Sequence, residues 1–167
     1  MTEERSLFSS ADLLERARVT APRARDDVIQ SLPSHANVST KEPQKKVVVI
    51  GEDDEPIAEL LRDAISDEPG LQAVLVQDGA LVLDTVRQVH ADLLILDIMM
   101  PGLSGLEVYD RVRAEDGIRD MPVLFVSAAS GQYDGELRKR GITDNIITKP
   151  FDLNQLLDRV KKLCTTG

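Results

Sequence analysis

Short apolar runs alternate with amphipathic stretches along most of this chain, from about residue 46 onward. The apolar runs are rich in Val, Ile and Leu, the composition of strands that are buried on both faces. Predicted strands are Val47–Ile50, Leu71–Val76, Leu93–Leu96, Pro122–Val126 and Ile146–Ile147. After the first, second and fifth strands, apolar residues recur at three- and four-residue steps, which predicts helices, and the stretches after the third and fourth strands are also predicted to be helical. The predicted helices cover residues 57–65, 80–89, 106–113, 135–140 and 153–163.

The alternation of strand and helix predicts the fold class. Repeated strand–helix–strand units form a parallel sheet with helices on both faces, and their crossovers are right-handed. We therefore predict an α/β fold built on a doubly wound, five-stranded parallel sheet. Functional sites in such sheets lie beyond the carboxyl ends of the strands.

The first 44 residues follow a different pattern. One face of a short predicted helix would carry Leu7, Phe8, Leu13, Leu14 and Ala17. Pro22 should end that helix, and residues 34–46 form a polar linker without periodicity. This apolar content is too small for an independent fold. We expect an N-terminal extension over 1–44, either a partly helical docking segment or a disordered leader, and one domain over 45–167.

The net charge of the chain limits the kinds of molecule that its surface would bind. The net charge of the chain is −9, and residues 45–167 carry fourteen basic and twenty-two acidic side chains, so nearly all of the excess belongs to the domain. Such a surface argues against direct nucleic-acid binding as the main function.

The chain has one cysteine, Cys164, which cannot form an intramolecular disulfide. This agrees with a reducing compartment, and we expect a free thiol near a fraying terminus. No apolar stretch reaches the roughly 18 residues of a membrane span, and no signal sequence opens the chain. A cytoplasmic protein without membrane contact is the expectation.

Polar residues follow four of the predicted strands. They are Glu52, Asp53, Asp54 and Glu55 after the first strand, Asp97 after the third, Ser127 after the fourth and Lys149 after the fifth. Because parallel strands place their carboxyl ends on one rim, these groups should converge.

Their chemistry suits phosphoryl transfer. Mg²⁺ prefers oxygen ligands and takes one or two carboxylates, here Asp53 and Asp97, with Glu52 reaching it through water. A carboxylate can accept a phosphoryl group, and the remaining requirements are positioning and charge stabilisation. Lys149 would pair with Asp97 at rest and with a phosphoryl oxygen afterwards, and Ser127 would donate to another oxygen.

Each residue alone has a simpler explanation. Neighbouring acids often favour a helix N-terminus, and an Asp after a buried strand is often a cap. The occurrence of all four groups in order, each at the carboxyl end of a predicted strand, favours a site.

The segment from Lys46 to Leu163 resembles the receiver domain of two-component response regulators, which has a flavodoxin-like fold. The matching stretches are V-V-I-G-E-D-D at 48–54, L-L-I-L-D-I-M-M-P-G-L-S-G at 93–105, V-L-F-V-S-A at 123–128 and I-T-K-P-F at 147–151. The part from Asp97 to Gly105 is the most specific.

The resemblance implies a switch. Asp97 would be the phosphoacceptor, receiving the group from a histidine kinase or a histidine phosphotransfer protein, and Ser127 and Lys149 would contact it. The implied Mg²⁺ ligands are Glu52, Asp53, Asp97 and the backbone carbonyl of Met99. Such a receiver assists its own phosphorylation and dephosphorylation but turns over no separate substrate. The Lys149–Pro150 bond resembles the family's cis peptide.

This sequence departs from the family pattern at the switch. Many receivers have Tyr or Phe three residues before the Lys, where Ile146 stands here, so the inward-turning aromatic step does not carry over. Tyr133 is near in sequence but is expected on an ordinary helix surface. Met99 and Ala129, two residues beyond Asp97 and Ser127, are apolar and cannot orient an attacking water, which predicts slow self-dephosphorylation.

Two alternatives remain open. One is a degenerate receiver that binds partners without phosphorylation, which Ile146 mildly favours and the four intact site residues disfavour. The other is a phosphoryl-handling hydrolase, which usually has a second catalytic Asp where Met99 stands.

Because Leu163 lies close to the end of the chain, no effector domain is expected after it. Output would then be a protein contact through residues 131–162, with a homodimer through the same face left open.

Overall fold

The computed structural model describes residues 44–128 and 131–165. Residues 1–43 of the predicted N-terminal extension and Ala129 lie outside these residues, so the expectations for them stay predictions.

Within the described residues, five strands alternate with five helices. The strands are β1 (Lys46–Gly51), β2 (Leu71–Val76), β3 (Leu93–Leu96), β4 (Val123–Ser127) and β5 (Ile146–Thr148). The helices are α1 (Glu55–Ser66), α2 (Gly79–Val89), α3 (Gly105–Ala114), α4 (Asp134–Lys139) and α5 (Leu153–Thr165). No boundary differs from its predicted position by more than two residues.

All strands are parallel and their spatial order is β2-β1-β3-β4-β5. This confirms the predicted α/β class and the doubly wound, flavodoxin-like sheet. The strand order reverses between β1 and β3, where Gly51 pairs with Leu96. A crevice at such a reversal is the usual binding position in open parallel sheets.

Polar side chains define the first turns of three helices. Asp54 accepts a hydrogen bond from Ile57 N at 3.2 Å to begin α1, and Asp78 accepts one from Ala80 N at 2.8 Å to begin α2. Ser104 and Glu107 form a reciprocal capping box at α3. These caps satisfy amide groups that a helix start otherwise leaves unpaired.

Two apolar layers cover the sheet. One packs sheet residues against α2, α3 and α4, whose buried side chains include Val82, Val86, Val108, Val112 and Leu137. The other packs the opposite face against α1 and α5, through Leu61, Ile65, Leu156 and Val160. Aliphatic side chains dominate both layers, as the low aromatic content of the chain requires.

Cys164 belongs to the second layer. The thiol is free, as expected, but it is 6% exposed in the last turn of α5 rather than at a fraying end. Burial raises the pKa of the Cys164 thiol, which lowers its reactivity.

Over residues 44–128 and 131–165, no helix combines the length and the apolar character that a membrane crossing would need.

Phe125 tests the assigned core. It is fully buried in β4, and its ring centroid lies 5.7 Å from that of Tyr109. We expect Phe125→Ala to lower the free energy of unfolding in urea by about 3–5 kcal/mol, because it removes apolar contacts and leaves a cavity. Leu81→Ala is the control: Leu81 is 57% exposed on α2, so the change should stay below about 0.5 kcal/mol. Equal effects of the two substitutions would contradict this core.

Candidate functional site

The carboxyl ends of four strands meet at one rim of the sheet, as predicted. Glu52 and Asp53 follow β1, Asp97 follows β3, Ser127 ends β4 and Lys149 follows β5. Among these residues, Glu52, Asp97 and Ser127 are buried, whereas Asp53 is exposed. The site therefore opens to solvent on the side of Asp53.

One ammonium group bridges two carboxylates at the floor of this rim. Lys149 Nζ lies 2.7 Å from Asp97 Oδ2 and 2.6 Å from Glu52 Oε2. The side chains of Lys149 and Asp97 are only 11% and 10% exposed, and that of Glu52 is 2% exposed. The contact between Lys149 and Asp97 was expected from the sequence. The contact between Lys149 and Glu52 was not expected, since the strand pattern places both residues on the rim without indicating that they touch.

Burial and pairing act on these groups in opposite directions. Burial lowers the pKa of Lys149, but hydrogen bonds to Asp97 and Glu52 outweigh it and the pKa of Lys149 is raised overall. Burial raises the pKa of Glu52, and the bond from Lys149 offsets only part of that increase. Lys149 thus remains a cation at neutral pH and compensates the buried carboxylates.

Three carboxylates form an acidic pocket beside Lys149. Oxygen atoms of Glu52, Asp53 and Asp97 lie within 4.8 Å of one another. Among the ion pairs of the described residues, Lys149 is the cation that contacts this group, so one ammonium faces three carboxyl groups, a setting that suits a divalent cation. Carboxylate oxygens are ligands that Mg²⁺ prefers, so the donor set fits this ion.

The backbone after β3 also contacts Asp97. Met99 N donates to Asp97 Oδ1 at 3.2 Å, which places the Met99 peptide beside the carboxylate, while Met99 as a whole is 59% exposed. The β4–β5 ladder aligns the other two site residues, because Lys149 N donates to the carbonyl of Ser127 at 3.1 Å. The Lys149–Pro150 peptide is cis, as the resemblance implied.

The four consecutive acids after β1 divide between two roles. Glu52 and Asp53 face the pocket, whereas the Asp54 side chain begins α1 and Glu55 lies in the first turn of that helix. Asp54 N also donates to Glu52 Oε1 at 3.2 Å and so orients the buried carboxylate. This supporting amide was missed in the sequence, although an acidic residue two positions before Pro56 is a recognisable helix-start signal.

Ile146 and Tyr133 lie on the face of the sheet that α4 covers. Both are partly buried and pack against the apolar layer of α2, α3 and α4. The expectation of an ordinary helix surface for Tyr133 is therefore wrong: Tyr133 precedes the first residue of α4, is partly buried and packs against this apolar layer. Near α4, the aromatic ring that contacts the core is therefore that of Tyr133, and position 146 is occupied by an aliphatic side chain.

Lys149 tests how far these buried charges depend on one another. We expect Lys149→Met to lower the free energy of unfolding by about 3 kcal/mol, because it leaves two buried carboxylates without their cation. Urea denaturation in metal-free buffer measures the change. Lys161→Met is the control, since Lys161 pairs with Glu68 at 2.9 Å but is 47% exposed, and should cost less than about 1 kcal/mol. A loss no larger than that of the control would contradict the central role of Lys149.

Sequence comparison identifies known proteins that are similar to this chain. The family model of the response regulator receiver domain matches residues 48–161. The polar-differentiation response regulator DivK of Brucella abortus is 33% identical over 116 residues, which cover 70% of this chain and 94% of that protein. The DNA-binding response regulator MtrA of Mycolicibacterium paratuberculosis is 32% identical over 114 residues, covering 68% of this chain and 49% of that protein.

Solved structures show the same fold. The response regulator protein TrrA of Thermotoga maritima, in complex with Mg²⁺–BeF, is 32% identical with a TM-score of 0.62 and covers 71% of this chain and 98% of its own. A Francisella receiver domain at 24% identity has a TM-score of 0.65, covering 73% and 98% of the two chains, and supports the fold alone. Fold, site and sequence agree, and this chain belongs to the response regulator receiver domain family of two-component signalling.

Proposed function

We propose that this protein is a phosphorylation-dependent signalling switch. Asp97 accepts a phosphoryl group from a histidine kinase or a histidine phosphotransfer protein, and the phosphorylated domain signals through protein contacts. The observation that carries this proposal is the contact between Lys149 and Asp97 at 2.7 Å, beside an acidic pocket that suits a divalent cation. A nucleophilic carboxylate, a cation and a metal site together are what phosphoryl transfer needs.

The step balances with the residues at the rim. A carboxylate oxygen of Asp97 forms a bond to phosphorus while the bond from phosphorus to the donor imidazole nitrogen breaks and that nitrogen keeps the electron pair. Lys149 exchanges its contact with Asp97 for one with a phosphoryl oxygen, and the Ser127 hydroxyl donates to another. Bound Mg²⁺ would neutralise charge on the phosphoryl oxygens.

The ligands proposed for Mg²⁺ are Glu52, Asp53, Asp97 and the carbonyl of Met99. The complex of TrrA with Mg²⁺–BeF supports Mg²⁺ as the ion, and the close approach of the three carboxylates supports them as its ligands. In this scheme the protein assists its own phosphorylation and dephosphorylation and has no separate substrate. The alternative is a receiver that binds its partner without phosphorylation.

The proposed output surface is the region 131–162. A surface pocket of about 290 Å³ lies between α4 and β5, with Leu137, Ile142 and Ile146 as apolar lining and Arg138 and Asp134 at its edge. A partner that places an apolar side chain there, with an acidic group near Arg138, would fit. A homodimer through this face is the competing occupant.

The composition of the chain supports a cytoplasmic location and a protein partner. One cysteine in a buried, free state supports a reducing cytoplasm. The net charge of −9 supports a protein partner rather than direct contact with nucleic acid.

Phosphorylation at Asp97 can be measured directly. We expect acetyl phosphate with Mg²⁺ to produce a shifted band on a phosphate-affinity gel, which Asp97→Asn abolishes because the amide is not a nucleophile. Removing the metal with EDTA should also abolish it. Asp84→Asn, an exposed acid on α2, should shift like the wild type. A wild type without any shift would favour the phosphorylation-independent module.

Self-dephosphorylation should be slow. The Met99 side chain lies at the open rim two residues from Asp97 and has no group that accepts a hydrogen bond strongly from water. Met99→Glu places a carboxylate there and should speed loss of the phosphoryl group by about tenfold, less than a fully positioned base contributes. Met99→Leu is the matched control and should decay like the wild type. Rapid decay of the purified wild type would refute this prediction.

A further inference from the structure

Two loops at the rim interlock through their backbones. The loop after β3, residues 99–104, lies against the first turn of α2, and Gly79 N donates to the carbonyl of Pro101 at 3.0 Å. A Cβ atom on Gly79 would overlap the carbonyl group of Leu103. Only glycine at position 79 allows the two backbones to approach so closely.

The contact is reciprocal. A Cβ atom on Gly102, whose φ is +77°, would overlap the carboxylate of Asp78. That carboxylate accepts the hydrogen bond from Ala80 N at 2.8 Å that begins α2. The cap of α2 and the loop after β3 therefore pack directly against each other, with no room for a side chain at either glycine.

This loop positions the backbone around Asp97. It starts two residues after Asp97 with Met99, whose amide donates to Asp97 Oδ1 at 3.2 Å. Its other end is held where Gly105 N donates to the carbonyl of Ile98 at 2.9 Å. The stretch between these two points is braced from outside by Asp78 and Gly79.

We propose that Asp78 and Gly79 are positioning residues for the Asp97 site, acting through the 99–104 loop. Neither residue touches Asp97. They would hold the Met99 backbone, keeping its amide on the Asp97 carboxylate and its carbonyl available as the proposed Mg²⁺ ligand. This inference rests on the proposed function and extends the site to an element that the strand-end pattern does not include.

The expected effect is on metal affinity. Mg²⁺ demands near-ideal octahedral geometry, so a ligand carbonyl displaced by a fraction of an ångström binds it less well. Groups that orient direct ligands typically alter metal affinity by about 10–100-fold when they are changed. Asp78 and Gly79 would act in this way, because they contact the loop that carries the proposed Met99 ligand.

The test is the affinity of the full chain for Mg²⁺ alone, measured by isothermal titration calorimetry without any phosphoryl donor. Gly79→Ala should weaken binding by about tenfold, because its methyl group displaces the Leu103 carbonyl and the loop with it. Val82→Ala is the matched control: Val82 lies on the same helix and is fully buried, so its truncation destabilises α2 packing but adds no group against the Leu103 carbonyl. It should bind Mg²⁺ like the wild type.

A second pair of variants covers the case in which Gly79→Ala does not fold. Asp78→Ala removes the acceptor for Ala80 N and should weaken Mg²⁺ binding. Asp78→Asn keeps an acceptor oxygen while removing the same charge, so it should retain wild-type affinity. The pair separates loop geometry from a general change in electrostatic potential.

The outcomes distinguish this inference from the proposed function. If the wild type binds Mg²⁺ and Gly79→Ala and Asp78→Ala bind it equally well, the positioning role is overturned and the proposed metal site stands. If Val82→Ala weakens binding as much as Gly79→Ala, the effect is general destabilisation and the positioning role is again overturned. If the wild type binds no Mg²⁺, the proposed metal site fails, and the positioning role fails with it.

Discussion

The ammonium group of Lys149 is the interaction on which the rim of this domain depends. It lies within 2.7 Å of two buried carboxylates, those of Glu52 and Asp97, which belong to distant parts of the chain. Two carboxylates at this depth would repel each other strongly without a cation between them. The fold can therefore bury Glu52 and Asp97 side by side because the end of the last strand brings Lys149 to both of them.

The rest of the structure holds this arrangement in place. Parallel register aligns the ends of β1, β3, β4 and β5, and the β4–β5 ladder carries Lys149 to the level of Asp97. Helix caps then stiffen the loops that leave the rim, and one of them, Asp78, lies over the loop that follows Asp97. Under the proposed function, a phosphoryl group on Asp97 that draws Lys149 toward itself would change both of these contacts.

The face covered by α4 differs from the pattern that the family resemblance implied. Ile146 packs in the apolar layer where many receivers carry an aromatic ring, and Tyr133 packs inward beside the start of α4. Aliphatic side chains, among them Ile142 and Ile146, therefore line the α4–β5 pocket in the region where that pattern has an aromatic ring.

The sequence by itself determined the order of elements, their limits within two residues and the identity of the rim residues. It could do so because strand burial, helix periodicity and the shared edge of parallel strands are local or topological properties that a pattern carries. The motif around Asp97 added the family, which the comparisons confirmed.

Tertiary structure alone decided which of these residues touch. The pairing of Lys149 with Glu52, the packing of Tyr133 against the core and the interlock of Gly79 with the loop after β3 carry no periodic signal in the chain. Each depends on distances of a few ångströms between segments that are far apart in sequence. Such distances follow from how the helices pack on the sheet, and packing is set by the whole core rather than by any local stretch.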